Sequence, residues 1–217
     1  MPTFGFSAFL KLICQNAQPQ MSALRSRFTA STGGYDYHRS LRTHAHRLLV
    51  DREPLADLVT SAQSISRESE RRSVLEGLQW LEAWRAANPG EIFHVMPVTF
   101  ESLNGAFRVR YEPNFGIEIG GSRVAVHLFN TAHPPLIARL VYGALRMVRP
   151  AYEDDGNIDD VAVLSIPDRT LFRLAEAPVM AAPDRLAQSF DRLLEDARDQ
   201  AIGRRPVEAP RRGPTPL

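Results

Sequence analysis

The chain reads as an α+β protein: helices first, then a mixed or antiparallel sheet of about five or six strands with helices packed on it. Three observations carry that expectation. Apolar residues recur every three to four positions as far as Gly90, the spacing of an amphipathic helix. Beyond Gly90 the period falls to two, the spacing of a strand with two unlike faces. Gly120-Gly121-Ser122 then interrupts the alternation where a hairpin needs residues tolerant of positive φ.

Taken in order, Phe6, Phe9, Leu10 and Ile13 predict a short helix over Gly5 to Gln15. A polar stretch from Asn16 to Gly34 follows, and Ser31-Thr32-Gly33-Gly34 at its end is a poor host for regular structure. Asp36 stands at an N-cap position, ahead of a helix lined by Tyr37, Leu41, Ala45 and Leu48. Pro54 suits the first turn of the next helix, with Leu55, Leu58 and Val59 inward. The clearest helix begins near Ser66, with Glu68 and Glu70 at its positive end, and stops at Asn88-Pro89-Gly90.

Strands are expected over Phe93 to Phe100, Phe107 to Tyr111, Phe115 to Ile119 and Val124 to Phe129, all rich in β-branched and aromatic residues. Alternation in Phe107-Arg108-Val109-Arg110-Tyr111 puts Arg108 and Arg110 on a wet face. A buried helix opens at Pro134-Pro135 and ends before Pro150. Strands at Val161 to Ile166 and Thr170 to Leu174 flank a Pro167-Asp168 turn, and a final helix covers Pro183 to Ile202. The organisation expected is a helical part over 1–90, an α+β body over 91–202 and a disordered proline- and arginine-rich tail over 203–217.

Of the 26 lysines and arginines only Lys11 is a lysine. Beyond residue 11 this removes Schiff-base chemistry, a P-loop lysine and an acid-x-lysine nuclease pair. Arginine keeps its charge at ordinary pH, so it binds and orients instead of shuttling protons. Coding bias in a GC-rich bacterial genome would produce the same excess. Net charge is +1, but residues 1–52 hold seven cations against Asp36 and Asp51. Cys14 stands alone in an apolar run, which makes it a small buried hydrophobe. No run approaches a membrane span and no secretory leader is recognisable, so a cytoplasmic protein is expected.

The densest cluster of polar chemistry is Tyr35 to Arg47. On a helix His38, Arg42 and His46 share a face, with Arg39 beside it, and together they offer cations to an acidic partner. His38 and His46 lie two turns apart, about 12 Å, too far to share a metal. Arg139, Tyr142, Arg146 and Arg149 form a second stripe, of the kind that tracks a nucleic-acid strand by ionic contact and stacking. Both patterns also follow from simple amphipathicity. The acidic run Glu153 to Asp160 lacks the ligand spacing and closing glutamate of an EF-hand loop, so it reads as solvated. No Gly-x-Ser-x-Gly elbow, glycine-rich phosphate loop or His-Glu-x-x-His helix is present, and neither a cofactor nor a metal is expected.

The order helix (66–88), three strands (106–129), helix (134–149), strand (161–166) is similar to the αβββαβ core of restriction-endonuclease-like folds. That resemblance implies an acid on the second strand, a place Glu118 fills, and an acid-x-lysine on the third. Ala125 and His127 occupy the latter positions, and a single carboxylate cannot hold the divalent ion such hydrolysis uses.

The first expectation is therefore a non-enzymatic binding or assembly protein that grips an acidic protein surface or nucleic acid through Arg39, Arg42 and His46, then Arg139, Tyr142 and Arg146. An alternative is a hydrolase with a relocated site, in which Glu112, Glu118, His127 and Asp160 converge on a divalent ion. A third is a homo-oligomer subunit that docks through the apolar side of the first helix.

Overall fold

The structure, a computed structural model, describes residues 1–28, 38–153, 156–178 and 183–201. Among these residues there are seven α-helices and two mixed sheets, the α+β class expected. The strands among the described residues number eight, because two were hidden in the sequence by helical or proline-broken surroundings. The expected cap at Asp36 and the tail over 203–217 lie outside the described residues.

The chain opens on β1 (Thr3–Gly5), which passes directly into α1 (Phe6–Cys14). The polar stretch that follows contains α2 (Ala17–Arg25), with few apolar residues to betray it. Pro19 falls in its first turn, where a missing N–H costs no hydrogen bond. Leu24 anchors α2 in the core, and the buried Gln20 side chain donates to the Leu12 carbonyl at 2.9 Å. Helices α3 (Arg39–Leu49), α4 (Leu55–Ala62) and α5 (Glu68–Ala87) follow as the spacing predicts.

The expected strand Phe93 to Phe100 is two strands in two sheets. β2 (Ile92–Phe93) joins the larger sheet and β3 (Val98–Glu101) the smaller. Pro97 lies between them, and a residue without an N–H cannot continue a ladder. The smaller sheet has the order β1-β4-β3, with β4 (Arg108–Tyr111) parallel to β1 and antiparallel to β3. The larger has the order β2-β5-β6-β7-β8, built from β5 (Phe115–Ile119), β6 (Ser122–Phe129), β7 (Asp160–Ser165) and β8 (Thr170–Arg173). Gly120 and Gly121, at φ 60° and 78°, make the tight β5–β6 turn. β6 and β7 are parallel, joined through α6 (Ala138–Val148). The two prolines at 134 and 135 delay that helix to Ala138. The final helix, α7, covers Pro183–Ala201.

This topology alters the nuclease-like expectation in one respect. The order of elements over 66–166 is present, but β4 is hydrogen-bonded to β1 and β3, and β2 takes the place beside β5. The first of the three strands thus leaves the shared sheet.

Alternation along β6 and β7 divides the core. Val124, Val126, Leu128, Ala162 and Leu164 face α3, α4 and α5. Ala125, Phe129, Val161 and Val163 face α1, α6 and α7. Phe4, Phe9, Phe107 and Phe190 interlock on the second side, with Phe190 only 4.9 Å from the rings of both Phe9 and Phe107. Phe6, Phe9, Leu10 and Ile13 are all buried there, so the apolar side expected to dock a second copy is already covered by the protein itself. Cys14 is buried as expected, and that burial raises its thiol pKa. No helix among the described residues is long and apolar enough to cross a membrane.

Candidate functional site

A cleft of about 830 Å³ opens where three segments meet: the start of α1, one face of α3, and the loop Glu112-Pro113-Asn114 beside the end of β6. Its size falls in the range of small-molecule sites. Each segment brings polar groups for a reason visible in the fold.

From α1 come Gly5, Ser7 and Lys11. Gly5 stands at the N-cap, and the first N–H groups after it have no partner within the helix, which gives this end a positive potential. Ser7 and Lys11 are four residues apart and so lie on one helix face. The chain's one lysine is therefore a cleft residue, and no described acid pairs with it.

From α3 come His38, Arg42 and His46, the i, i+4, i+8 set that periodicity placed on one face. Arg39 is exposed but does not line the cleft. His38 lies 3.4 Å from the Asn130 and Thr131 side chains, and His46 lies 3.3 Å from Asp51. Arg47 also reaches the cleft but is held by Glu53 through two hydrogen bonds of 2.7 and 2.6 Å. His44 turns the other way, as two residues on a helix must. It is buried, with its Nδ1 2.8 Å from the Ser40 carbonyl.

From the sheet side come Arg110, Glu112 and His127. The parallel register sets Arg110 opposite Gly5, beside the residue that opens α1. Its guanidinium is 3.5 Å from Glu112, the one acid among the described residues that line the cleft. Arg108, on the same wet face, pairs with Glu101 at 2.8 Å.

His127 is the most constrained group in the site. It is 6% exposed, and the Phe6 and Tyr111 rings lie 5.3 and 5.8 Å from it. Nδ1 is 2.8 Å from the Glu112 backbone carbonyl, which can only accept, so Nδ1 carries the proton. Nε2 then bears the lone pair, and the Ser7 hydroxyl donates to it at 2.7 Å. Burial pushes the imidazole pKa down to about 4; the Glu112 hydrogen bond opposes that shift and the Arg42 charge adds to it. Asn114 fixes the supporting loop: its Oδ1 accepts from the Leu128 N–H at 2.7 Å and its own N–H donates to Val126.

The remaining expected residues lie elsewhere. Arg139 lines a separate cleft of about 470 Å³ between α6 and α7, with Arg185. Tyr142 packs edge-on against Phe172, and Arg146 donates to the Pro178 carbonyl at 2.9 Å. The two arginine groups therefore do not form one site. Nor do the four residues of the hydrolase alternative converge. Glu118 is exposed near the β5–β6 turn, opposite Arg123, four residues along β6 from His127. Asp160 is buried and occupied by Arg173 and by the N–H groups of Val161 and Ala175. No cluster of three or more His, Cys, Asp or Glu suited to a metal occurs among the described residues. Asp154 and Asp155 of the acidic run lie outside those residues.

Comparison with known proteins adds one structure. No family model matches the chain, and no curated protein does. The crystal structure of SSO0001 is similar over 86% of this chain and 85% of its own, at 12% identity and a TM-score of 0.31.

Ser7, Lys11 and Arg110 were missed as site residues. Gly5-Phe6-Ser7, a cap residue followed by a serine in the first turn, was the available signal for the first.

Proposed function

We propose that the protein binds an anionic group, phosphate or carboxylate, in the cleft between α1, α3 and β6. One observation carries this reading: Lys11, Arg42 and Arg110, from three separate elements, line a single cavity together with the positive end of α1. Among the described residues Glu112 is the one acid lining it, against the three cations. Arginine offers a rigid fork suited to two oxygens of such a group, and the positive end of a helix favours an anion. A cavity of this size holds a small molecule or the tip of a partner chain. Of the arginines expected to bind, Arg42 is the one this reading retains, with His46 at the rim.

The test is calorimetric titration with pyrophosphate, a short oligothymidylate and an oligoglutamate peptide, each at two salt concentrations. Binding by one or more of them is expected, weakened about tenfold or more in Arg42→Ala and Arg110→Ala, since each charged hydrogen bond contributes about 1.5–3 kcal/mol. A steep fall with salt for the oligonucleotide alone identifies a nucleic-acid partner. No heat with any of the three, or equal affinity in the variants, refutes the reading.

A further inference from the structure

We infer that Ser7 and His127 form a nucleophile–base dyad that cleaves carboxylic esters of anionic molecules. The substrate class rests on the anion-binding reading above; the dyad rests on its own geometry.

Three requirements of an activated serine are met. A base lies within hydrogen-bond reach: Ser7 Oγ is 2.7 Å from His127 Nε2. A third group orients the base: the Glu112 carbonyl takes the Nδ1 proton at 2.8 Å and leaves Nε2 to accept. The nucleophile opens on space a substrate can enter, since Ser7 is only partly buried and lines the cleft. Ser7 stands in the first turn of α1, where N–H groups have no carbonyl partner within the helix, so backbone donors for an oxyanion belong to the same turn. Lys11, one turn further along the same face, and Arg110, opposite Gly5, supply cations for an anionic group elsewhere on the substrate.

In the reaction Ser7 Oγ adds to the ester carbonyl carbon as its proton passes to His127 Nε2. The carbonyl π pair becomes an oxyanion. Collapse of that intermediate breaks the carbon–oxygen bond, and the departing alkoxide takes the proton from Nε2. Water then attacks the acyl-serine with His127 as base, which releases the acid and restores the hydroxyl. A carbonyl orienter stabilises the imidazolium less than a carboxylate would, so slow turnover with accumulation of acyl-enzyme is expected.

The test uses mono-p-nitrophenyl suberate, whose carboxylate is too remote to attack its own ester, as the anionic ester and p-nitrophenyl acetate as the neutral one. p-Nitrophenolate release is followed with intact mass and peptide mapping of the full chain. The expected result is a burst near one equivalent with the adduct on Ser7, absent in Ser7→Ala and about 100-fold slower in His127→Gln. With spontaneous hydrolysis subtracted, the suberate should react about tenfold faster, a preference lost in Lys11→Ala, as removal of one charged contact predicts. No adduct, or one confined to the Lys11 and Met1 amines, overturns the dyad even where pyrophosphate binds. Ser7 acylation at equal rates by both esters sustains the dyad and overturns the anionic substrate class. Mapping on the unaltered protein keeps the result independent of whether any variant folds.

Discussion

Asp160 and Arg173 form an ion pair across the β7–β8 ladder, 3.1 Å apart and only 5% and 14% exposed. The register pairs Arg173 with Ala162, two residues beyond Asp160, so the two side chains meet on a diagonal. Asp160 also accepts from the Ala175 N–H at 3.1 Å, which ties the turn after β8 to the sheet. Removing Arg173 strands the Asp160 charge in a place water does not reach, while Arg173 without Asp160 keeps only Glu176, 3.8 Å away. Asp160→Ala and Arg173→Ala should each lose about 3–5 kcal/mol by urea denaturation, and the double variant should lose less than their sum. Strict additivity would show that the charges do not interact.

Phe190 fixes the last helix to the first strand and helix through contacts with Phe4, Phe9 and Phe107. Phe190→Ala should cost about 3–5 kcal/mol, as truncation of a buried aromatic does. Hydrogen exchange should then rise in α1 and β1 as well as α7. A rise limited to α7 would mean that its packing supports nothing at the chain's other end.

Gly90 has no room for a side chain: a Cβ there would fall on the Glu118 backbone carbonyl. Backbone cannot yield as a flexible side chain can, so Gly90→Ala should lose at least about 1–3 kcal/mol through displaced strands. Gly120→Ala meets nothing within 4 Å but sits at φ 60°, so its cost is torsional only, about 1 kcal/mol. Comparing the two melting temperatures separates steric from torsional intolerance.

His127 should make the fold sensitive to acid. Its folded pKa is lowered from 6.5 to about 4, so between those values the unfolded chain binds the proton and the folded one does not. Its contribution is intact above about pH 6.5 and is lost as pH falls toward 4, to a limit on the order of 3 kcal/mol. The Arg42 charge adds to that shift. His127→Gln should flatten the stability profile over that window, measured by denaturation at stepped pH. An unchanged slope would place the acid sensitivity in other groups.

Periodicity reported what lies within an element. It placed α5 and α7 within a few residues, marked the Gly120-Gly121 turn, and put His38, Arg42 and His46 on one face of α3. It could not report partnerships made over distance. β1 is three residues long, too short to show alternation, and its identity depends on pairing with β4 a hundred residues later. That pairing brings Arg110 to Gly5 and packs Ser7 against His127, so half of the cleft was invisible until the topology was known. Pro97 concealed the exchange of sheets between β2 and β3, because a run of apolar residues continues through it.

The parallel register of Thr3–Gly5 with Arg108–Arg110 also has a consequence in time. The ribosome makes α1 about ninety residues before β4, the strand that β1 and α1 dock against. At about 5–20 residues per second, a Phe-rich amphipathic segment waits several seconds with its greasy side uncovered. Nascent chains stalled before residue 108 should thus be chaperone clients through residues 1–15, and those stalled after α7 should not.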